Sequence, residues 1–185
     1  MVTGIALFRG INVSGHKMIK MNVLKALFES LGLQNVRTYL QSGNVVFDCE
    51  EKSIEFLGKR IEEKVLHSLN LTVPVILRSG RQVEKILLNN PFLKGRNEDA
   101  GHLYVTFLSE EPSPANIEKL KEAKSDTSDE YILSGREIYL FCPGGYGNTK
   151  LSNNFFESKL KIMATTRNWR TVNRLHLMLG LTEKS

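Results

Sequence analysis

Two hydrophobic periods alternate along the first 78 residues, and this alternation limits the possible folds more than any other feature of the chain. Short apolar runs typical of β-strands occur at 4–8, 36–41, 45–47 and 73–77. Apolar residues spaced three and four apart predict amphipathic helices at 24–31 and 54–69. The resulting order (strand, helix, strand, strand, helix, strand) is that of the ferredoxin-like unit.

The polarity of the four predicted strands agrees with that order. In this unit the first and third strands are central, and Ile5–Phe8 and Val45–Phe47 are the most continuously apolar runs. The second and fourth strands are edges, where polar residues and proline are tolerated. Arg37 and Thr38 lie in the predicted second strand, and Pro74 lies in the fourth.

Capping residues mark where several helices begin. Ser53 is the predicted cap of the second helix, and Ser79 with Gln82 forms a capping box for a short helix after the fourth strand. Ser113, followed by proline, and Ser152 are predicted to open two further helices in the second half. A hairpin is predicted between those two helices, from residues 131–133 and 137–141. A further strand is predicted before the first of them, at 102–108.

The end of the chain shows no clear fourth strand for this second half. A last helix from about Trp169 to Leu179, with Thr166 as its N-cap, takes that place. We therefore expect an α+β protein with two related ferredoxin-like (βαββαβ-type) halves, the second degenerate and carrying extra helices. The predicted halves are 1–94 and 95–185, and the pattern leaves open whether they pack as one compact unit.

Composition excludes several classes of protein. With 41% hydrophobic and 24% charged residues, the chain is typical of folded proteins rather than disordered ones. We find no apolar run near the ~20 residues that span a bilayer and no signal peptide at the start, so no membrane association is expected. The two cysteines, Cys49 and Cys142, suit a reducing compartment. The expected location is therefore cytoplasmic.

Three stretches of the chain together resemble a known family. They read L-F-R-G-I-N-V from Leu7, S-G-N-V-V-F from Ser42 and R-N-W-R-T-V from Arg167. In this order they resemble a bacterial family described as a domain of unknown function, with Ser14 in place of a usual glycine. The resemblance implies an α+β fold with two ferredoxin-like halves, and it implies no catalytic residues.

Several polar side chains are predicted to meet at one rim of the first half. The first and second strands of a ferredoxin-like unit run parallel, so the end of the first lies beside the hairpin that follows the second. The side chains placed there are Arg9, Asn12, Lys17, Lys20, Gln41, Ser42 and Asn44. Cations with amides and a hydroxyl can bind phosphate, carboxylate or base edges. The alternative is that these residues only form tight turns and bond their own backbone.

The second half adds candidate ligand-binding residues of its own. Lys150 ends a glycine-rich loop at 143–150, which matches neither the P-loop nor the dinucleotide fingerprint. Arg167 and Asn168 precede the last helix. Residues 143–182 hold six basic side chains against the single acid Glu157, whereas the whole chain carries a net charge of +5. A basic segment can meet nucleic acid or small anions, and a solvated surface is the alternative.

Signals of catalysis and of cofactors are missing from the sequence. The histidines His16, His67, His102 and His176 have no metal-ligand spacing with each other or with the cysteines. No nucleophile elbow or catalytic-cysteine signature occurs. We expect no cofactor and no metal.

Three functions follow as hypotheses. The first is a binding module for a nucleotide, RNA or another small anion at the rim. The second is a small enzyme acting on a phosphorylated or carboxylated metabolite, with Arg9, Lys150 and Arg167 holding the anion and Ser42 or Tyr39 nearby. The third is a structural or assembly protein that pairs through its sheet edges. The sequence does not decide the oligomeric state.

Overall fold

The computed structural model describes residues 1–50, 54–123 and 128–180, with the backbone alone of Glu55. These residues form eight strands and six α-helices. The strands are β1 Val2–Phe8, β2 Gln34–Tyr39, β3 Asn44–Cys49, β4 Val75–Ser79, β5 Leu103–Leu108, β6 Glu130–Ser134, β7 Glu137–Phe141 and β8 Ala164–Asn168. The helices are α1 Met21–Ser30, α2 Leu57–Leu69, α3 Gly80–Leu88, α4 Pro114–Glu122, α5 Asn153–Leu160 and α6 Trp169–Met178.

The first sheet has the order β2-β3-β1-β4, and every neighbouring pair is antiparallel. The apolar strands β1 and β3 are central, as their composition predicts. One face of the sheet packs against α1 and α2, which bury Phe28 and Ile61 in a core that also contains Phe8 and Phe47. Phe28 lies between the two strand phenylalanines, with ring centroids 6.1 Å from Phe8 and 5.6 Å from Phe47.

The second sheet has the corresponding order, β6-β7-β5-β8, and is also antiparallel throughout. Its core includes Leu108 and Leu140 from the sheet, Leu120 from α4 and Phe156 from α5. The predicted α+β class is confirmed, and the topology is compatible with two ferredoxin-like halves.

The prediction that a helix replaces the fourth strand of the second half was wrong. Residues 164–168 form β8, which pairs with β5 from Tyr104 opposite Asn168 to Leu108 opposite Ala164. Thr166 lies within this strand and is not a helix cap. Asn168 caps α6 instead, because its Oδ1 accepts the Thr171 N–H at 2.8 Å. The strand is polar, so its apolar pattern is too weak to reveal it.

Most predicted helix caps are present. Ser79 and Gln82 form the reciprocal capping box, with Ser79 N–H donating to Gln82 Oε1 at 2.8 Å and Gln82 N–H donating to Ser79 Oγ at 3.3 Å. Ser113 and Ser152 each accept a backbone N–H from the first turn of α4 and α5. Ser53 lies outside the described residues.

The chain divides into two compact units. The first comprises Met1–Lys85 and the described residues from Arg174 onward, and the second is Ile86–Asn173. The divisions fall inside α3 and α6, so each helix contributes residues to both units. The predicted boundary after residue 94 divides the sequence into two related halves, and this division stays a prediction. Within the described ranges, no helix has both the length and the apolar character needed to cross a membrane.

Candidate functional site

The end of β1 and the β2–β3 hairpin lie side by side. Since β1 and β2 are both antiparallel to β3, they point the same way, and Leu7 and Tyr39 both lie opposite Asn44. The Phe8 N–H donates to the carbonyl of Gly43 at 2.9 Å. We call this edge of the sheet the rim and define it by Arg9, Asn12, Lys17, Gln41, Ser42 and Asn44.

Asn12 ties the loop after β1 to the hairpin. Its Nδ2 donates to the carbonyl of Gln41 at 2.7 Å and to that of Ile19 at 3.0 Å, and its Oδ1 accepts the Ile19 N–H at 2.7 Å. Its φ of 54° lies in the left-handed region that asparagine tolerates better than most residues. Asn12 therefore positions the rim, and its amide is occupied by these three bonds.

Asn44 stabilises the hairpin from its buried side. It is completely buried, and its Nδ2 donates to the carbonyl of Tyr39 at 2.7 Å and to Ser42 Oγ at 3.0 Å. Gly43 beside it touches the loop so closely that an added Cβ would lie 2.5 Å from Ile11 Cδ1. Asn44 and Gly43 thus fix the shape of the hairpin rather than offer groups to solvent.

The remaining rim residues present polar groups at the surface. Lys17, Gln41 and Ser42 are exposed, and Arg9 is half-buried. Lys17 Nζ donates to the carbonyl of Thr72 at 2.8 Å, which holds the ammonium group near the rim without neutralising it. Residues 9–20 and 39–44 contain three cations, with Lys20 as the third, and no carboxylate. The rim is therefore suited to an anion.

The three candidates from the second half all lie in the second unit. Lys150 is exposed in the loop before α5, in which Tyr146–Asn148 form a short 3-10 turn. Arg167 is 7% exposed, and its Nη1 donates to Thr165 Oγ1 at 2.8 Å and to the carbonyl of Thr166 at 2.9 Å. Asn168 is exposed and caps α6. Arg167 thus binds its own strand through this edge of its guanidinium group.

Sequence reasoning missed a cavity in the second unit. Its volume is about 480 Å³, and it is lined by Ala100, Gly101, Tyr104, Asn168, Trp169, Arg170 and Asn173. Trp169 contributes to this lining although it is only 7% exposed. The unrecognised strand β8 hid the cavity, because only the pairing of Tyr104 with Asn168 brings these residues together. The available signal for β8 was its two adjacent threonines, Thr165 and Thr166, because threonine favours strands.

Groups able to perform chemistry by themselves are scarce in the described part of the chain. No cluster of three or more His, Cys, Asp or Glu side chains there could hold a metal ion. Burial raises the pKa of the Cys142 thiol to about 11, so the thiolate is scarcely populated near neutral pH. Burial likewise raises the pKa of Tyr139 to about 12.

Comparison with known proteins supports the fold and a family. The structure of the conserved bacterial protein SP0830 from Streptococcus pneumoniae is similar, with a TM-score of 0.75 at 23% identity over 96% of this chain and 98% of that one. No curated protein matches the sequence. The family model that matches, over residues 1–139, is described as a protein of unknown function, which confirms the resemblance. The chain belongs to the family of unknown function DUF1697.

Proposed function

We propose that this chain is a cytoplasmic, non-catalytic binding protein whose rim takes an anionic ligand, a nucleotide or RNA. One observation carries the proposal: the hydrogen bond from Asn12 to Gln41 closes a loop with three cations and no carboxylate onto the β2–β3 hairpin. An anion placed there meets the cations of this loop together with amide and hydroxyl groups.

Preorganisation strengthens this site. Asn12 and Asn44 between them make five hydrogen bonds that fix the loop and the hairpin before any ligand arrives. The rim residues that reach the surface, and so can meet a ligand, are Arg9, Lys17, Gln41 and Ser42. Because the scaffold is already ordered, binding costs less conformational entropy than it would for a flexible loop.

The mode of RNA binding that this rim supports is contact with phosphates. Ferredoxin-like sheets that read RNA bases stack them on exposed aromatic residues. Here the strand phenylalanines Phe8 and Phe47 are buried in the core against Phe28 and are not exposed for stacking. We therefore expect weak base preference and strong salt dependence.

The two halves are proposed to derive from an internal duplication. The same strand order recurs, and both sheets turn between their second and third strands on a segment that contains Ser-Gly. This relation leaves the rim specific to the first half, because the corresponding turn, Ser134-Gly135-Arg136, has a different sequence from Ser42-Gly43-Asn44.

Fluorescence anisotropy with a labelled single-stranded RNA oligonucleotide tests the proposal. Lys17→Ala should weaken binding at low salt and make the slope of log K against log salt shallower by about 0.7, the value for one lost phosphate contact. The matched control is Lys59→Ala. Lys59 is also exposed but lies near the start of α2, whereas Thr72, whose carbonyl binds Lys17, lies beyond the end of that helix. Lys59→Ala should leave both the affinity and the slope unchanged.

Three results would contradict the proposal. The first is no binding of oligonucleotides or nucleotides at low salt, and the second is an equal loss in both lysine variants. The third is the consumption of a phosphorylated or carboxylated metabolite in a substrate screen, abolished by Arg9→Ala, which would make the chain an enzyme. Concentration-dependent self-association in sedimentation, without ligand binding, would favour the assembly hypothesis.

A further inference from the structure

We propose that the cavity of the second unit is a separate binding site for a nucleoside monophosphate, with Tyr104 and Trp169 against the base and Arg170 on the phosphate. This goes beyond the proposed function, because none of these residues belongs to the rim. The size of the cavity, its aromatic wall, its remaining amide atoms and its charge support this assignment.

The size of the cavity fits a small ligand. Its volume of about 480 Å³ lies within the roughly 300–1,000 Å³ of typical ligand pockets. Both strand residues of its lining, Tyr104 and Asn168, lie opposite each other in the β5–β8 pair. The remaining residues come from the segment before β5 and from the first turns of α6, so regular structure frames most of the wall.

The aromatic wall is held in place. The Tyr104 ring packs on Tyr146 with centroids 5.1 Å apart and an interplanar angle of 34°. Tyr146 in turn donates its hydroxyl to Thr166 Oγ1 at 3.1 Å, and Thr166 donates to Asn153 Oδ1 at 2.7 Å. A ring fixed in this way loses little freedom when a flat ligand packs against it, and stacking of a base on an aromatic side chain contributes about 1–3 kcal/mol.

Two amide side chains in the lining each have one polar atom to spare. Asn168 uses Oδ1 to cap α6, and its Nδ2 donates to no described residue. Asn173 uses Nδ2 on the carbonyl of Trp169 at 2.8 Å, and its Oδ1 accepts from no described residue. The cavity thus offers one donor and one acceptor, which is what the edge of a nucleobase requires.

The charge of the lining favours an anion. Arg170 is exposed and is the charged residue among those that line the cavity. Asp99 directly precedes the lining residues Ala100 and Gly101, and its carboxylate is bonded to the backbone, since its Oδ1 accepts the Gly101 N–H at 2.8 Å. A guanidinium group can grip two phosphate oxygens at once, which an ammonium group cannot do. A phosphate monoester on a planar base therefore matches both ends of the cavity.

The test uses the fluorescence of Trp169, which is the single tryptophan of the chain. Titration of the full chain with adenosine 5′-monophosphate should change the tryptophan emission in a saturable way. Arg170→Ala should weaken the affinity about tenfold, the effect of losing one charge-assisted hydrogen bond of roughly 1.4 kcal/mol. The matched control is Arg81→Ala, because Arg81 is also exposed and is the second residue of α3 as Arg170 is of α6.

Titrations with inorganic phosphate and with adenosine test the two parts of the ligand one at a time. Each should bind more weakly than the monophosphate. Lys17→Ala should leave this titration unchanged, which keeps it independent of the rim. The proposal is overturned if the emission does not saturate, if Arg81→Ala weakens binding as much as Arg170→Ala, or if phosphate alone binds as tightly. Calorimetric binding of the monophosphate with no change at Trp169 would also overturn it, because the ligand would then bind elsewhere.

Discussion

Arg78 and Arg167 occupy the same position in their respective sheets. Arg78 lies opposite Ile5 in the β1–β4 pair, and Arg167 lies opposite Val105 in the β5–β8 pair. Each is the fourth residue of a five-residue strand that leads directly into a helix. Each Nη1 donates to the carbonyl of the preceding residue, at 2.8 Å for Arg78 and 2.9 Å for Arg167.

The buried Arg78 is expected to be important for stability. It is 1% exposed, and Arg78→Ala should lower the free energy of unfolding by about 3 kcal/mol, because it removes a large buried side chain and a charge-assisted hydrogen bond. Urea denaturation measures this. The control is the exposed Arg81→Ala, expected to change stability by less than about 0.5 kcal/mol. Equal effects of the two substitutions would show that Arg78 contributes little.

Asn12→Ala should open the rim. The variant loses three hydrogen bonds to Ile19 and Gln41, so we expect a loss of about 2–3 kcal/mol in the free energy of unfolding, together with weaker anion binding. Asn12→Asp is the informative comparison, since it keeps the acceptor for the Ile19 N–H and loses the two donated bonds. Hydrogen exchange at the Ile19 amide should accelerate in the alanine variant more than in the aspartate variant.

Gly43 and Gly10 separate the effect of close packing from that of backbone conformation. Both have positive φ, 77° and 71°, but only at Gly43 would a Cβ clash, lying 2.5 Å from Ile11 Cδ1 and 2.8 Å from Phe8 Cβ. Gly10→Ala should therefore cost only the left-handed conformation, about 1–2 kcal/mol. Gly43→Ala should cost about 1–3 kcal/mol more. Similar melting temperatures for the two variants would refute the close approach.

Alkaline pH is expected to destabilise the fold through Cys142. Burial raises the pKa of this thiol from an ordinary value near 9 to about 11, with a smaller contribution from Asp129 and an opposing one from the Thr149 hydroxyl. Between pH 9 and 11 the unfolded thiol loses its proton while the folded one keeps it, so the unfolded state binds fewer protons and stability falls as pH rises.

Cys142→Ala removes this contribution. Across that interval its free energy of unfolding should decline less steeply with pH than that of the parent chain, whatever the difference between them at neutral pH. Urea titrations at several pH values give both slopes. Parallel declines would assign the alkaline loss to other groups.

The fold of the first half could be predicted from its residues alone. Local signals agreed there: the apolar runs of β1 and β3, the helical spacing of α1 and α2, and the capping box at Ser79. Strand polarity then separated central strands from edges, and the topology followed. The same reasoning placed Asn12 beside Gln41, because parallel strands bring their ends to one edge of the sheet.

Features that depend on pairing between distant segments were visible only in the folded structure. β8 is a polar strand whose stability comes from hydrogen bonds to β5, so no local period marks it, and the cavity beside it stayed hidden with it. The burial of Arg78, opposite Ile5, and of Asn44, opposite Leu7 and Tyr39, likewise depends on the strands that pair with them. Local periodicity reports which face of an element is apolar, whereas the partner of a polar group is chosen only when the sheet assembles.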